Sequence, residues 1–366
     1  MILGVPKEIK QDEKRVSVLP HLIKPIKDLG HQVVIQKGAG LDSGFPDILY
    51  SNQGAVILDT IEDIYSRSDI IVKVKEPLEL EIPLIKESHT IFTFFHFGGN
   101  KSLLEDFLKT GATAIAYETV ENDNGSLPLL IPMSEIAGRM SVQNGAKFLE
   151  GTLGGKGKLV SGVPGVPPAA ITIIGGGIVG FNAAKIAAGL GASVNILDLD
   201  VSRLRFLDNI LPANVTTYHS NSYNIENLLP KTDLLIGAVL VAGKKAPKII
   251  SRDLLGLMKK GSVVVDVAVD QGGCLETTKP TTHKDPIYIV DGIVHYCVAN
   301  MPGSVPMTST ISLTNSTSSY ILDLLKQDLK NMKFKNKSLL KGVNVYRGEV
   351  THQGLADSLN ISCEKI

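Results

Sequence analysis

Short apolar runs alternate with amphipathic segments from the start of the chain. The runs 2–5 and 69–77 are rich in isoleucine, leucine or valine, which is typical of buried strands. The segment 61–66 follows Thr60, a residue type that caps helices. Further predicted elements are helices over 21–29 and 102–108 and strands over 32–36, 91–95 and 112–116. Strands that alternate with helices predict a parallel sheet covered by helices.

A glycine-rich turn follows the apolar run 170–174. Glycines stand at Gly175, Gly177 and Gly180, and a helix of small residues continues to about Gly189. In a dinucleotide-binding turn, the first glycine permits the tight turn, the second lets the backbone approach a pyrophosphate, and the third lets the helix lie close to its strand. The start of the helix offers free N–H groups to the phosphates. The pattern therefore predicts a dinucleotide site rather than an ordinary strand–turn–helix.

Asp198 follows the next predicted strand, 193–197, about twenty residues beyond the turn. A carboxylate at this place accepts hydrogen bonds from the adenosine ribose and repels a 2′-phosphate, which favours NAD over NADP. Arg203 and Arg205 follow and could meet such a phosphate, although solvated surface is the simpler interpretation.

The length of 366 residues predicts two domains. A long helix opens at Ser134 and runs to about 149, and a glycine- and proline-rich linker covers 151–168. The strand pattern resumes after the glycine turn, at 215–217, 234–237 and 263–266. We expect one domain to comprise 1–130 plus 305–366, because the tail should return to the first domain, and the other to comprise 131–304.

Composition narrows the function classes. Lys+Arg and Asp+Glu both total 37, so no overall basic field favours nucleic acid or an anionic membrane. The three cysteines are too widely spaced for a disulfide framework or a CxxC zinc site, and the eight histidines lack metal-binding spacing. The N-terminus lacks the pattern of a signal peptide, and no stretch is apolar enough to span a membrane. We expect a soluble, cytoplasmic protein without a bound metal.

Polar side chains follow the predicted strands of the first domain. Lys75 ends one strand, with Lys73 on the same face by strand alternation, and His96 and Glu118 follow the next two strands. Ligands of open α/β sheets bind beyond the carboxyl ends of the strands. We therefore expect a substrate to lie there, with Glu118 and Asn300 as candidate contacts.

Each candidate also has a simpler interpretation when it is taken alone. Arg15 lies in the charged run 12–15 and could be surface charge, whereas Lys75 could solubilise an edge strand. His96 stands among phenylalanines and could be a satisfied core histidine. Asp270 follows the strand 263–266 and could merely hold a turn.

Seven sequence blocks in order make the chain resemble the alanine dehydrogenase family over nearly its whole length. They are GVPKEI (4–9), KVKEP (73–77), AYETV (116–120), PMSE (132–135), GVPGV (162–166), DVAVDQGG (266–273) and HYCVANMPG (295–303). The resemblance implies an α/β protein of two Rossmann-like, doubly wound domains, with the active site in the cleft between them, that usually forms a homohexamer. It also implies the reaction, in which L-alanine, NAD and water give pyruvate, ammonium and NADH.

The resemblance assigns roles to individual residues of this chain. Arg15 and Lys75 would bind the substrate, and His96 and Asp270 would be the catalytic pair. Cofactor contacts would come from the three glycines of the turn and from Ser134, Asp198, Arg203, Ser220, Val239, Leu240, Val267, Asp270, Lys279, Val298, Asn300 and Met301. Some positions depart from the family pattern: Gly98–Gly99 where alanines are usual, Met307 where a basic residue is common, Ser318–Ser319 where Leu-Pro is frequent, and Lys279 where arginine is often found.

Other functions fit the same fold. The NAD-binding subunit of a proton-translocating transhydrogenase is related, but the segment 132–135 and the region of His96 follow the dehydrogenase form. A saccharopine-type dehydrogenase should carry a larger substrate domain. A noncatalytic NAD-binding regulator should lack a member of the substrate and catalytic set, whereas all four are present. The expected partners are small molecules and further copies of the chain.

Overall fold

The computed structural model describes residues 1–239, 246–329 and 334–365. The chain forms two compact units, one of Met1–Met133 with the chain from Gly303 onward, and one of Ser134–Pro302. Within the described ranges, no helix combines the length and the apolar character needed to cross a membrane.

The elements are numbered along the chain. The strands are β1 (Ile2–Val5), β2 (Gln32–Gln36), β3 (Val56–Leu58), β4 (Ile70–Val72), β5 (Thr90–Thr93), β6 (Thr113–Ala116), β7 (Ala170–Ile174), β8 (Ser193–Asp198), β9 (Val215–His219), β10 (Leu234–Gly237), β11 (Val263–Asp266), β12 (Ile287–Val290), β13 (Ile293–Tyr296), β14 (Val343–Tyr346) and β15 (Glu349–Val350). The helices are α1 (Pro20–Asp28), α2 (Asp47–Asn52), α3 (Ile61–Arg67), α4 (Lys101–Lys109), α5 (Ile131–Phe148), α6 (Ile178–Gly189), α7 (Val201–Ile210), α8 (Ser222–Leu228), α9 (Arg252–Leu255), α10 (Pro306–Leu324), α11 (Lys337–Lys341) and α12 (Gln353–Leu359).

The sheet of the first unit is mostly parallel. Its strand order is β15-β14-β6-β5-β4-β1-β2-β3, with β1 to β6 parallel and β14 antiparallel to β6. Alternate residues of each strand enter opposite apolar cores, as Ile70 and Val72 do on one face and Ile71 on the other. The strand order reverses at β1, so the carboxyl ends of β1 and β4 mark a topological switch point.

The sheet of the second unit has the order β12-β13-β11-β10-β7-β8-β9. All neighbours are parallel except β12 and β13. The strand that leads into the glycine turn, β7, is central and has β8 on one side and β10 on the other. The turn therefore lies at the switch point of this sheet, where dinucleotides bind in such folds. Two Rossmann-like α/β units, as predicted, are confirmed.

Most predicted elements are present with shifted ends. The Thr60 cap is confirmed, because its Oγ1 accepts the N–H of Asp63 at 3.1 Å. The strand predicted over 69–77 was too long, since β4 ends at Val72. The long helix begins at Ile131 rather than Ser134, because Pro132 is tolerated in the first turn of a helix, where its missing N–H costs nothing.

Candidate active site

The functional candidates of the first unit follow neighbouring parallel strands. Glu8 follows β1, Lys75 follows β4, His96 follows β5 and Glu118 follows β6. These four strands pair in the order β6-β5-β4-β1. The side chains therefore gather at one edge of the sheet, where ligands of open α/β folds bind.

Lys75 lies at this edge, and both its backbone N–H and its carbonyl form hydrogen bonds. Its N–H donates to Glu8 Oε1 at 3.3 Å, and its carbonyl accepts the Thr93 hydroxyl at 2.9 Å. Burial lowers the pKa of the Lys75 ammonium below its ordinary value, and the nearby Arg15 guanidinium lowers it further. Within the described residues its ammonium makes no ion pair. An anionic ligand would stabilise this charge.

Lys73, only two residues away, has a different role. Lys73 is 1% exposed, and its ammonium pairs with Glu8 at 3.2 Å and Glu81 at 2.7 Å. Burial by itself lowers the pKa of Lys73, but the two carboxylates raise it above the ordinary value. The expectation that Lys73 and Lys75 share a strand face does not apply, because regular strand structure ends at Val72.

Arg15 is 2% exposed, so the interpretation as surface charge is wrong. Its Nε donates to Glu13 Oε1 at 2.7 Å, Nη2 donates to Oε2, and Nη1 lies 3.1 Å from Met133 Sδ. Burial raises the pKa of Glu13, but the Arg15 guanidinium overrides this and holds it at about 2. The contact with Glu13 uses two of the five N–H groups of the guanidinium.

His96 is exposed rather than a satisfied core residue. Its backbone is left-handed, with φ of +54°, and its ring stacks on Phe94 with centroids 5.7 Å apart. Glu118 accepts the N–H groups of Phe95 and His96 with its carboxylate, the latter at 2.6 Å. Glu118 therefore holds backbone, and its contact with substrate stays a prediction. A Cβ at Gly99 would meet no atom within 4 Å, so sterics do not demand glycine there.

The glycine turn of the second unit fits a dinucleotide. Gly175 has φ of +103°, and a Cβ at Gly180 would lie 1.8 Å from the Gly175 carbonyl oxygen. A Cβ at Gly177 would meet nothing within 4 Å, so the backbone there is open to a ligand. The twelve-residue helix α6 starts at Ile178 and directs its free N–H groups and positive dipole end toward the same place.

Asp198 and its neighbours surround this turn. Asp198 Oδ2 accepts the N–H of Gly176 at 2.6 Å, and its carbonyl accepts the N–H of Ser220 at 2.8 Å. Arg203 Nε donates to the Gly176 carbonyl at 2.6 Å, and its guanidinium lies 4.9 Å from the ring centroid of Phe206. Arg203 is thus packed on the turn rather than solvated at the surface.

Asp270 and Asn300 lie together in the second unit. Asp270 is in the 3-10 turn Val267–Gln271 that follows β11, and its Oδ2 accepts the N–H of Asn300 at 3.3 Å. Asn300 is left-handed, with φ of +57°. Its neighbours Val298 and Met301 are buried. The structure thus brings the segments after β11 and β13 to one place.

The remaining predicted cofactor residues are more scattered. Val239 follows β10, and its Cγ2 lies 3.1 Å from where a Cβ of Gly175 would stand. Ser134 is partly buried in the first turn of α5. Lys279 is exposed, with its ammonium 4.8 Å from the ring centroid of Tyr288. Leu240 lies outside the described residues.

Comparison with known proteins identifies the family. A model described as the alanine dehydrogenase/PNT N-terminal domain matches residues 4–137, and one for the C-terminal domain of the same family matches residues 141–353. The chain belongs to the alanine dehydrogenase/PNT family. The family resemblance drawn from the sequence is therefore confirmed.

Relatives within this family match over their full length. An alanine dehydrogenase of Methanococcus maripaludis is 50% identical over 97% of this chain and 96% of its own. Alanine dehydrogenase 2 of Staphylococcus aureus is 46% identical over 100% of this chain and 98% of its own. A solved L-alanine dehydrogenase superposes with a TM-score of 0.95 at 48% identity, covering 98% of this chain and 99% of that one. A transhydrogenase from Sinorhizobium meliloti, at 23% identity and a TM-score of 0.81, shares the fold.

Two acidic residues of the site were missed from the sequence. Glu8 is in the block 4–9, and Glu13 stands two residues before Arg15. Their positions within matching blocks were the available signal, but nothing local distinguishes a buried carboxylate from a surface one.

Proposed function

We propose that the protein is an NAD-dependent alanine dehydrogenase, which converts L-alanine, NAD and water into pyruvate, ammonium and NADH, and also catalyses the reverse reaction. The observation that carries this proposal is the edge of the first sheet, where Lys75 and the exposed His96 follow adjacent parallel strands. The full-length likeness to L-alanine dehydrogenases supports the choice of substrate.

The two units divide the work in this proposal. The part comprising 1–130 and 305–366 binds the substrate, and 131–304 binds NAD through the glycine turn, Asp198, Arg203 and Ser220. The carboxylate of Asp198 accepts ribose hydroxyl groups and disfavours a 2′-phosphate, which makes NAD the preferred cofactor. NAD, when bound, accepts the hydride that leaves Cα of alanine.

Arg15 and Lys75 supply the positive charge for the substrate. Pyruvate and alanine both carry a carboxylate, which pairs with guanidinium and ammonium groups by charge-assisted hydrogen bonds. The lowered pKa of Lys75 means that its positive charge is stabilised most when an anion lies beside it. Lys75 also donates a hydrogen bond to the carbonyl oxygen of pyruvate and so polarises it.

His96 and Asp270 handle the protons. Deamination requires a water proton to be removed and the leaving nitrogen to be protonated, and a histidine ring nitrogen exchanges protons near neutral pH. Asp270 holds the ammonium of alanine and orients the water with its carboxylate.

A direct assay tests the proposal. Purified protein should oxidise NADH when pyruvate and ammonium are both present, faster than with glyoxylate or with NADPH. His96→Ala and Asp270→Asn should each lower kcat by roughly 10² or more, the usual loss for a general acid or base, and His96→Ala should leave NADH binding unchanged. NADH binding without oxidation that depends on pyruvate and ammonium would instead fit a transhydrogenase subunit or a noncatalytic NAD-binding protein.

We further propose a cytoplasmic homohexamer. Its few, widely spaced cysteines, two of them buried and none in a disulfide within the described residues, support a reducing compartment. The molar mass in solution, measured by light scattering, should be six times that of the chain; a monomeric mass would exclude this assembly.

A further inference from the structure

The end of β5 has to leave its sheet for His96 to be exposed. The last paired residues of β5 and β6 are Thr93 and Ala116. Beyond them, the N–H groups of Phe95 and His96 have no paired residue of β6, and an N–H without an acceptor is costly where it is part-buried, as that of Phe95 is. The chain must therefore supply an acceptor from elsewhere.

Glu118 supplies this acceptor. It lies in the 3-10 turn Tyr117–Thr119 directly after β6. Its Oε1 accepts the N–H of Phe95 at 3.1 Å and that of His96 at 2.6 Å, and Oε2 lies 3.2 Å from the N–H of Phe95. The carboxylate thus takes the place that the next carbonyls of β6 would hold in a continuing ladder.

The same contacts fix an unfavourable backbone conformation. His96 has φ of +54°, a left-handed geometry that a residue with a side chain adopts only when its surroundings enforce it. The ring is held separately, since it stacks on Phe94 at an interplanar angle of 6° and Phe94 packs edge-on against Tyr117. Backbone and ring are therefore both anchored by the end of β6.

We propose that Glu118 is a positioning residue that fixes the left-handed backbone of His96 and so aims its imidazole at the reacting atoms. This inference rests on the catalytic role proposed for His96. Glu118 acts through backbone N–H groups. Its role therefore depends on the distance from its acceptor oxygens to these groups and less on its negative charge.

Three substitutions of Glu118 separate the effect of side-chain length from that of the negative charge. Glu118→Ala removes the acceptor, Glu118→Gln keeps one acceptor oxygen at the same reach, and Glu118→Asp keeps the charge but is one methylene group shorter. We expect Ala and Asp to lower kcat by roughly 10-fold to 100-fold, the scale of a misplaced catalytic group, and Gln to stay within about 3-fold of the parent. KM for pyruvate and the Kd for NADH should change by less than about 3-fold. Glu121→Ala is the matched control, because its carboxylate is nearby but pairs with Lys341 at the surface.

A double-mutant cycle tests whether Glu118 acts through His96. In a His96→Ala background, Glu118→Ala should lower kcat no further, because the group that it positions is gone. Additive losses in kcat, a rise in KM in place of the fall in kcat, or Gln as impaired as Ala would each overturn the proposal. If Glu118→Ala does not fold, Glu118→Asp takes its place in the cycle.

Amide hydrogen exchange gives a readout without activity. The N–H groups of Phe95 and His96 should exchange slowly in the parent and at least 10-fold faster in Glu118→Ala, but at the parental rate in Glu121→Ala. Unchanged exchange would refute the anchoring by Glu118. A parent that fails to oxidise NADH with pyruvate and ammonium, but protects these amides, would refute the proposed function and leave the anchoring intact.

Discussion

Lys73→Met should strongly destabilise the first unit. The ammonium of Lys73 is the shared partner of Glu8 and Glu81, and all three side chains are buried. Methionine fills similar space but leaves two carboxylates close together without a countercharge. Breaking a buried ion pair from one side costs about 3–5 kcal/mol. For a unit of this size, each kcal/mol lowers Tm by roughly 2–4 °C, so we expect a loss of about 6–20 °C.

The loss should depend on pH in a defined direction. Burial raises the pKa of Glu8 above its ordinary value, and Lys73 opposes this rise. Without Lys73 the pKa of Glu8 rises further. A carboxyl group whose pKa is higher in the folded than in the unfolded state favours folding below its unfolded pKa and loses this contribution as the pH rises through the folded pKa. The Tm deficit of Lys73→Met should therefore be larger at pH 8 than at pH 5.5, because the free energy of unfolding falls by up to about 1.4 kcal/mol per pH unit for one proton.

Thermal unfolding of parent and variants at the two pH values, at one protein concentration, makes the test. Adding Glu8→Gln to Lys73→Met should recover much of the loss, because it removes one of the two unpaired carboxylates. The glutamine amide oxygen can still accept the N–H of Val74, which in the parent lies 2.6 Å from Glu8 Oε1. Lys37→Met is the matched control, because the Lys37–Asp59 pair is exposed, and its Tm should stay within about 1–2 °C of the parent. A deficit for Lys73→Met that is equally small, or independent of pH, would refute the buried ionic network.

Three further predictions concern single side chains. The pKa of Glu13 is about 2 in the folded protein, so its carboxylate should stabilise the fold at a pH above the pKa that Glu13 has in the unfolded chain, and this contribution should be lost as the pH falls toward 2. Glu13→Gln should remove that part of the acid dependence of Tm. Gly180→Ala should weaken NADH binding, measured by fluorescence titration, at least 10-fold, because its Cβ would overlap the Gly175 carbonyl oxygen; Gly189→Ala, in the same helix but with open space around its Cβ, should bind normally. KM for pyruvate should rise with pH as Lys75 loses its charge at a lowered pKa, and Lys75→Met should flatten this dependence; parallel profiles would exclude Lys75 as the titrating group.

The dinucleotide unit was the part most fully predictable from the sequence. Gly175 and Gly180 are required by backbone geometry within a few residues, so their meaning is local. The Thr60 cap is local for the same reason, since its partner is Asp63. Patterns of this kind need no knowledge of distant parts of the chain.

The roles of Lys73 and Lys75 could not be separated from the sequence. Strand alternation placed them on one face, but the regular strand ends at Val72. Glu8 and Glu81 decide which lysine is paired inside the protein, and Glu8 is more than sixty residues away from Lys73 along the chain. Tertiary pairing, and not the local pattern, leaves Lys75 for a ligand.

The backbone role of Glu118 could not be predicted from the sequence for a similar reason. A carboxylate after a strand looks the same in sequence whether it faces a ligand or a neighbouring backbone. The deciding facts are that β5 and β6 are adjacent and that His96 turns left-handed where pairing stops. The charged run around Arg15 likewise fits surface charge when it is taken alone, and only the fold shows that Arg15 is buried against Glu13.

The candidate residues at the edge of the first sheet share an arrangement. Each of three functional candidates contacts a glutamate. Glu8 and Glu118 accept the backbone N–H groups of Lys75 and His96, and Glu13 pairs with the side chain of Arg15. A carboxylate that is paired with a buried cation, or whose oxygens accept backbone N–H groups, repels an anionic ligand less than a carboxylate without such contacts. Under the proposed function, these contacts let the fold hold its cationic and proton-exchanging groups in place with acids and still attract the carboxylate of an oxo acid. Glutamates free of such partners would hold the same groups but would compete with the substrate for them.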